Sequence, residues 1–169
     1  MSSLFVTFEG IEGCGKSTQV KRLAKRLADA GREITSLREP GGTPIGEAIR
    51  EVVKHPPGDA PISPDAELLL MNASRAQLVQ QAIRPALARG AVVLCDRFYD
   101  SSLAYQGYGR ELDLAKVRQA IDLAVGETKP NLTLLLDIPL AVSQARVGGR
   151  QQSTSEGQDQ FDQSGDAFF

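Results

Sequence analysis

The segment from Leu4 to Ser17 constrains this chain more than any other part of it. A short apolar run, Leu4-Phe5-Val6-Thr7-Phe8, ends at Glu9. Then Gly10-Ile11-Glu12-Gly13-Cys14-Gly15-Lys16-Ser17 fits the pattern G-x-x-x-x-G-K-[ST]. Beyond it Val20, Leu23, Ala24, Leu27 and Ala28 recur at helical spacing, and Gly31 supplies a stop. A strand, a glycine-rich turn and a helix in this order form a cradle for phosphate. The glycines let backbone N–H groups curl around anionic oxygens, and the helix aims its positive end at them. Lys16 adds a mobile cation, and the Ser17 hydroxyl is suited to a Mg²⁺ ion. Binding of a nucleoside triphosphate is the strongest inference that these residues carry. Cys14 is readable either as a small loop filler or as a thiol activated near a helix start.

The rest of the chain keeps alternating. Glu33 to Leu37 reads as a strand, followed by the loop Arg38-Glu39-Pro40-Gly41-Gly42-Thr43 and a helix from about Pro44 to Lys54. His55 to Pro64 is loop, because four prolines cannot sit inside a helix or central strand. A helical pattern runs from about Asp65 to Arg89, with Leu69, Ala76, Val79, Ile83 and Leu87 on one side and a kink or break expected at Pro85. Ala91 to Cys95 and Leu132 to Leu136 read as buried strands, separated by a helix marked by Leu114, Val117, Ile121 and Ala124. Continuous apolar strands between helices predict an α/β fold with a parallel sheet covered by helices on both faces. Ligands bind such sheets beyond the carboxyl ends of the strands, where Gly10, Arg38, Asp96 and Asp137 fall.

Composition narrows the class. The chain has 169 residues, 19 Lys and Arg against 21 Asp and Glu, and a net charge of −2. There is no general pull toward nucleic acid or an anionic membrane. Two cysteines, Cys14 and Cys95, are too few for a disulfide framework. No apolar run approaches the roughly 20 residues of a spanning helix, and Met1 to Phe5 lacks the regions of a signal peptide. The expectation is a soluble, cytoplasmic, single-domain protein spanning 1–169, without nucleic-acid or membrane partners. From Gln151 onward there are five glutamines, four acids and no Lys or Arg, which reads as a mobile polar segment.

Four arginines, Arg38, Arg50, Arg75 and Arg97, sit on separate elements, and their convergence on the sheet's carboxyl end would make a bidentate receptor for a second phosphate. Phe8 to Thr18, Arg38 to Thr43, Ala73-Ser74-Arg75 and Asp96 to Gly107, in this order and spacing, together resemble bacterial thymidylate kinases, from about residue 3 to residue 147. The resemblance implies a three-layer P-loop NTPase fold and transfer of the ATP γ-phosphoryl group to thymidine 5′-monophosphate (dTMP), with Mg²⁺, in a homodimer. It implies that Gly10, Ile11, Glu12, Gly13, Cys14, Gly15, Lys16, Ser17 and Thr18 hold ATP. Glu12 then meets the sugar 3′-hydroxyl, Arg97 holds the acceptor phosphate, and Arg38 and Arg50 lend charge. Glu39 and Pro40 organise the acceptor region, and Ser17 and Asp96 serve Mg²⁺; Asp96 can alternatively be a turn cap. Arg75, Ser102 and Gln106 read the thymine edge. Tyr105 lies near the sugar or packs its own loop. Another small-molecule kinase of the superfamily, or a GTP-dependent switch, is the alternative; the guanine-reading N-K-x-D pattern is not visible.

Three departures from the family stand out. Met71 occupies the place of an aromatic that stacks on thymine; it either covers the ring with its thioether or fills the core. The family-like lid, about 147–162, has Gln160 where arginine is common, leaving Arg146 and Arg150 as lid cations or ordinary helix-end cations. The family's closing strand and helix are expected to be absent from 1–169.

Overall fold

The computed structural model describes residues 2–58 and 61–153, with side chains as far as residue 149 in the last helix. Four strands, β1 (Leu4–Glu9), β2 (Ile34–Arg38), β3 (Val92–Asp96) and β4 (Leu132–Leu135), form one parallel sheet in the order β2-β3-β1-β4. Around it lie α1 (Lys16–Asp29), α2 (Pro44–Lys54), α3 (Pro64–Leu78), α4 (Arg84–Ala88), α5 (Tyr99–Ser102), α6 (Leu114–Val125) and α7 (Leu140–Ser153). Strand alternation splits the core in two. Phe5, Val93 and Cys95 face one layer, packed with Leu78, Val79, Ile83, Val117, Ile121 and Val125. Val6, Phe8, Val92 and Leu94 face the other, packed with Val20 and its neighbours on α1. Helices therefore cover both faces of a parallel sheet, as expected.

Local chemistry explains the boundaries. Thr43 Oγ1 accepts the Gly46 N–H at 3.0 Å and Pro44 opens α2. Ser63 and Pro64 do the same for α3, and Asp113 caps α6 by accepting from the Ala115 N–H. Each cap satisfies a donor that the first turn leaves unpaired. The long helical pattern is interrupted near Pro85, in the form of a π-helical segment, Val79–Ile83, leading into α4. Pro85 has no N–H for the carbonyl four residues back, and the wider turn absorbs that loss.

Two readings need correction. Leu69 does not share the buried side of the long helix: it is 65% exposed. The buried face of α3 is instead Glu67, Leu68, Met71, Asn72, Ser74, Arg75 and Leu78, so polar side chains occupy more than half of it and hide its phase from an apolar count. β4 is not a buried strand among the described residues: it lies at one edge of the sheet they form, with Leu132 50% and Leu135 72% exposed. Its apolar run looks the same in either position. α5, the π-helical segment Leu103–Gly109 and α7 were not legible as helices. Of the expected lid, 147–153 continues α7 and the remainder, Gln160 included, lies outside the described residues.

Register sets the site. Phe8 pairs with Asp96, and Asp96 with Arg38, so three strands end at one level along the same sheet edge.

Candidate active site

The loop after β1 is shaped by backbone that only glycine adopts easily. Gly15 has φ +101°, and a Cβ on Gly10 (φ +135°) would lie 2.4 Å from the Leu136 carbonyl oxygen. Gly15 precedes α1, and no side chain caps that helix, unlike α2, α3 and α6. The first-turn N–H groups are thus left for an anion. Lys16 lies within this loop, where its Nζ donates to the Gly10 and Ile11 carbonyls at 2.9 Å each and contacts Cys14 Sγ at 3.6 Å. Burial, and then the nearby Arg97 charge, holds its ammonium below the usual lysine range. Helix α7 braces the loop from outside: Ser143 Oγ donates to the Glu12 carbonyl at 2.6 Å, and Arg146 Nη1 to the Gly13 carbonyl at 3.1 Å. Ser17 Oγ donates to Asp96 Oδ2 at 2.6 Å. One hydroxyl and one carboxylate oxygen side by side make a hard donor set that suits Mg²⁺, which takes few protein ligands and completes its shell with phosphates and water.

A cavity of about 630 Å³ extends from this loop, a volume suited to a small-molecule site. Glu12, Gly13, Gly15, Lys16, Ser17 and Thr18 line it on one side. Arg38, Glu39, Pro40, Arg50, Met71, Asp96, Arg97, Tyr105 and Gln106 also line it. Gly10, Ile11, Cys14, Arg75 and Ser102 do not stand on its wall. The Arg150 side chain lies outside the described residues.

The arginines are fixed by their own loop. Arg38 Nη1 and Arg50 Nη1 both donate to the Pro40 carbonyl, at 3.3 and 3.1 Å, and Arg38 Nη2 pairs with Glu47 at 2.8 Å. Arg97 has φ +68°, a left-handed conformation costly for a side chain with Cβ. Its guanidinium lies over the Tyr105 ring, 5.2 Å from the centroid, and donates to Ser101 Oγ at 3.2 Å. Glu9 stabilises the same turn, its carboxylate accepting the Phe98 N–H and the Ser101 hydroxyl at 2.7 Å each. Burial pushes the Glu9 carboxyl up, and those bonds oppose the shift.

Arg75 sits behind the wall, 1% exposed. Its Nε donates to Glu39 Oε2, Nη1 to Asn72 Oδ1 and Nη2 to the Phe98 carbonyl; one N–H remains on each terminal nitrogen. Burial raises the Glu39 carboxyl to about 7 despite the guanidinium at 2.8 Å. Three buried polar atoms have no protein partner among the described residues: Glu39 Oε1, Ser102 Oγ and Gln106 Oε1. Buried polar atoms in folded proteins are otherwise almost always paired. All three belong to residues expected in the acceptor site.

Sequence reasoning missed Lys54 and Ser101, which line the cavity, and Glu9, Glu67 and Ser143, which orient its residues. Only Glu9 carried a signal, as a carboxylate ending β1. Cys14, 7% exposed and against Lys16, supports one expectation here. A small alkylating reagent should label it slowly, and MgATP should block the labelling, as read by intact mass. Equal labelling with and without nucleotide contradicts its place in the cradle.

A phosphate-binding loop that faces an arginine-rich wall across one cavity, at the carboxyl edge of a parallel sheet, defines a nucleoside monophosphate kinase of the P-loop class. A family model described as thymidylate kinase matches residues 8–166. Similar proteins include the thymidylate kinase of Ectopseudomonas mendocina (strain ymp), 49% identical over all of this chain and 78% of that protein. The thymidylate kinase of Geobacter sulfurreducens is 53% identical over 88% of this chain and 70% of its own length. The crystal structure of thymidylate kinase from Ehrlichia chaffeensis superposes with a TM-score of 0.76 at 34% identity, covering 90% of this chain and 86% of that one. The chain belongs to the thymidylate kinase family.

Proposed function

We propose that this enzyme transfers the γ-phosphoryl group of ATP to dTMP, giving the diphosphate for dTTP synthesis. The observation that carries this reading is the single cavity lined both by the phosphate loop and by Arg38, Arg50 and Arg97. Phosphoryl transfer through a loose transition state needs positioning and neutralised charge more than a strong base. The amides from Gly10 to Thr18 hold the donor, and Lys16 exchanges its loop carbonyls for the outer phosphates. Arg97 grips the acceptor phosphate, with Arg38, Arg50 and the neighbouring Lys54 adding positive potential. Glu12, exposed on the cavity wall, accepts from the sugar 3′-hydroxyl. Ser17 and Asp96 hold Mg²⁺, which supplies neutralisation of the phosphates in transfer. Arg146, one of the two lid cations considered, lines the cavity.

Base recognition falls to the far wall. Met71 covers the ring, Ser102 and Gln106 offer unpaired polar atoms, Arg75 supplies its remaining N–H groups through the wall, and Tyr105 bounds the sugar. Glu39 and Pro40 hold this side together. The reading includes a cytoplasmic homodimer. No helix among the described residues is long and apolar enough to cross a membrane. Leu69 on α3 and Ile45 and Val52 on α2, two helices packed together, provide exposed apolar side chains for an interface.

A coupled assay with ATP, Mg²⁺ and a panel of nucleoside monophosphates tests the reading. Preference for dTMP is expected. Preference for another monophosphate, or tight GTP binding without transfer, refutes it.

A further inference from the structure

Glu67 touches no part of the cavity and has no solvent exposure, yet it is tied to a residue that does line it. Gln106 Nε2 donates to Glu67 Oε1 at 2.7 Å, and Arg110 Nη2 ion-pairs with Glu67 Oε2 at 3.1 Å. We propose that Glu67 sets base specificity by fixing the orientation of the Gln106 amide, so that the site presents an acceptor and rejects cytosine. This rests on the thymidylate reading above.

The argument is one of donors and acceptors. A carboxylate offers only lone pairs, so the amide nitrogen must turn toward it and the amide oxygen must turn away. Gln106 is completely buried, lines the cavity, and its Oε1 has no protein partner among the described residues. An amide otherwise able to point either way thus becomes a fixed acceptor. Arg75 carries donors only. A thymine edge has an N3–H donor beside the O4 acceptor and satisfies both. Cytosine reverses the pattern, with a bare N3 and an N4 donor, leaving Gln106 Oε1 facing a lone pair. A site built around such groups discriminates strongly, because the wrong base leaves them unpaired. Uracil shares the thymine edge, so this device does not separate dUMP from dTMP.

The test is the Glu67→Gln variant, assayed with dTMP, dUMP and dCMP. A glutamine at 67 offers either a donor or an acceptor, which frees the Gln106 amide to turn. The dCMP-to-dTMP ratio of kcat/KM is expected to rise about tenfold or more, while the dUMP-to-dTMP ratio stays where it is in the wild type. A merely structural role would lower all three substrates together, and unchanged base ratios would overturn the proposal. If Glu67→Gln does not fold, the double variant Glu67→Leu, Arg110→Leu replaces the buried pair with apolar side chains, a change often tolerated. It should shift the same ratio, and an unshifted ratio overturns the proposal equally. The wild-type panel separates the two levels. If the wild type prefers a different monophosphate, the thymidylate reading fails and this inference fails with it. If it prefers dTMP and the variants keep its base ratios, only the role of Glu67 is lost.

Discussion

Lys16→Met is expected to lower kcat by about 10²–10³-fold while the protein stays folded, the loss typical of removing one preorganised charge from a reacting oxyanion. Lys16 is 7% exposed, and its ammonium bonds to two carbonyls of its own loop. ATP binding should survive better than turnover, since the uncapped first turn of α1 and the loop amides still hold phosphate. Lys16→Arg should not rescue the rate, because a planar fork cannot replace a compact ammonium in this space. Steady-state kinetics with saturating ATP, beside a thermal melt, separates these effects. A kcat within about tenfold of wild type would remove Lys16 from the chemistry.

Arg75→Ala should have the largest effect on stability, about 3–5 kcal/mol at pH 8, because it leaves the Glu39 carboxylate buried without its partner. The loss should shrink on acidification. In the wild type Glu39 titrates near 7 when folded, above its ordinary 4.5. Its protonated form is therefore favoured by folding, and its contribution is fully present below 4.5 and lost as pH rises through 7. Removing Arg75 removes the main influence that lowers the folded value, so the variant continues to lose stability above pH 7, where the wild type has levelled off. Urea melts of both proteins at pH 5 and pH 8 measure the gap. A gap that is equal at both pH values, or larger at pH 5, contradicts this account.

The parts legible in the sequence were those encoded by short, fixed spacings. Gly10 to Ser17 specified a loop whose shape depends on local backbone, and Thr43-Pro44 marked a helix start to the residue. The identity of β1 and β3 was also readable, because buried parallel strands are continuously apolar. What escaped were pairings between distant residues on polar, buried surfaces. Arg75 finds Glu39 across 36 positions and Gln106 finds Glu67 across 39, and nothing local in either residue announces the partner. Arg75 is read as a base-contacting residue, and the sequence does not show that three of its five N–H groups also pair inside the protein. Leu69 was placed on the wrong side of α3 for the same reason: the inward face carries polar as well as apolar side chains, among them Glu67, Asn72, Ser74 and Arg75.

The twist in the backbone at Arg97 has a consequence for anyone redesigning this enzyme. Position 97 receives two contradictory instructions, since the left-handed turn favours glycine by about 1 kcal/mol and the cavity favours a cation. An optimiser that ranks residues by comfort in the fold alone would choose glycine, gain heat resistance and, on the function proposed above, give up the grip on the acceptor phosphate. A residue so ill suited to its place in the scaffold is one that such a procedure must be told to leave alone.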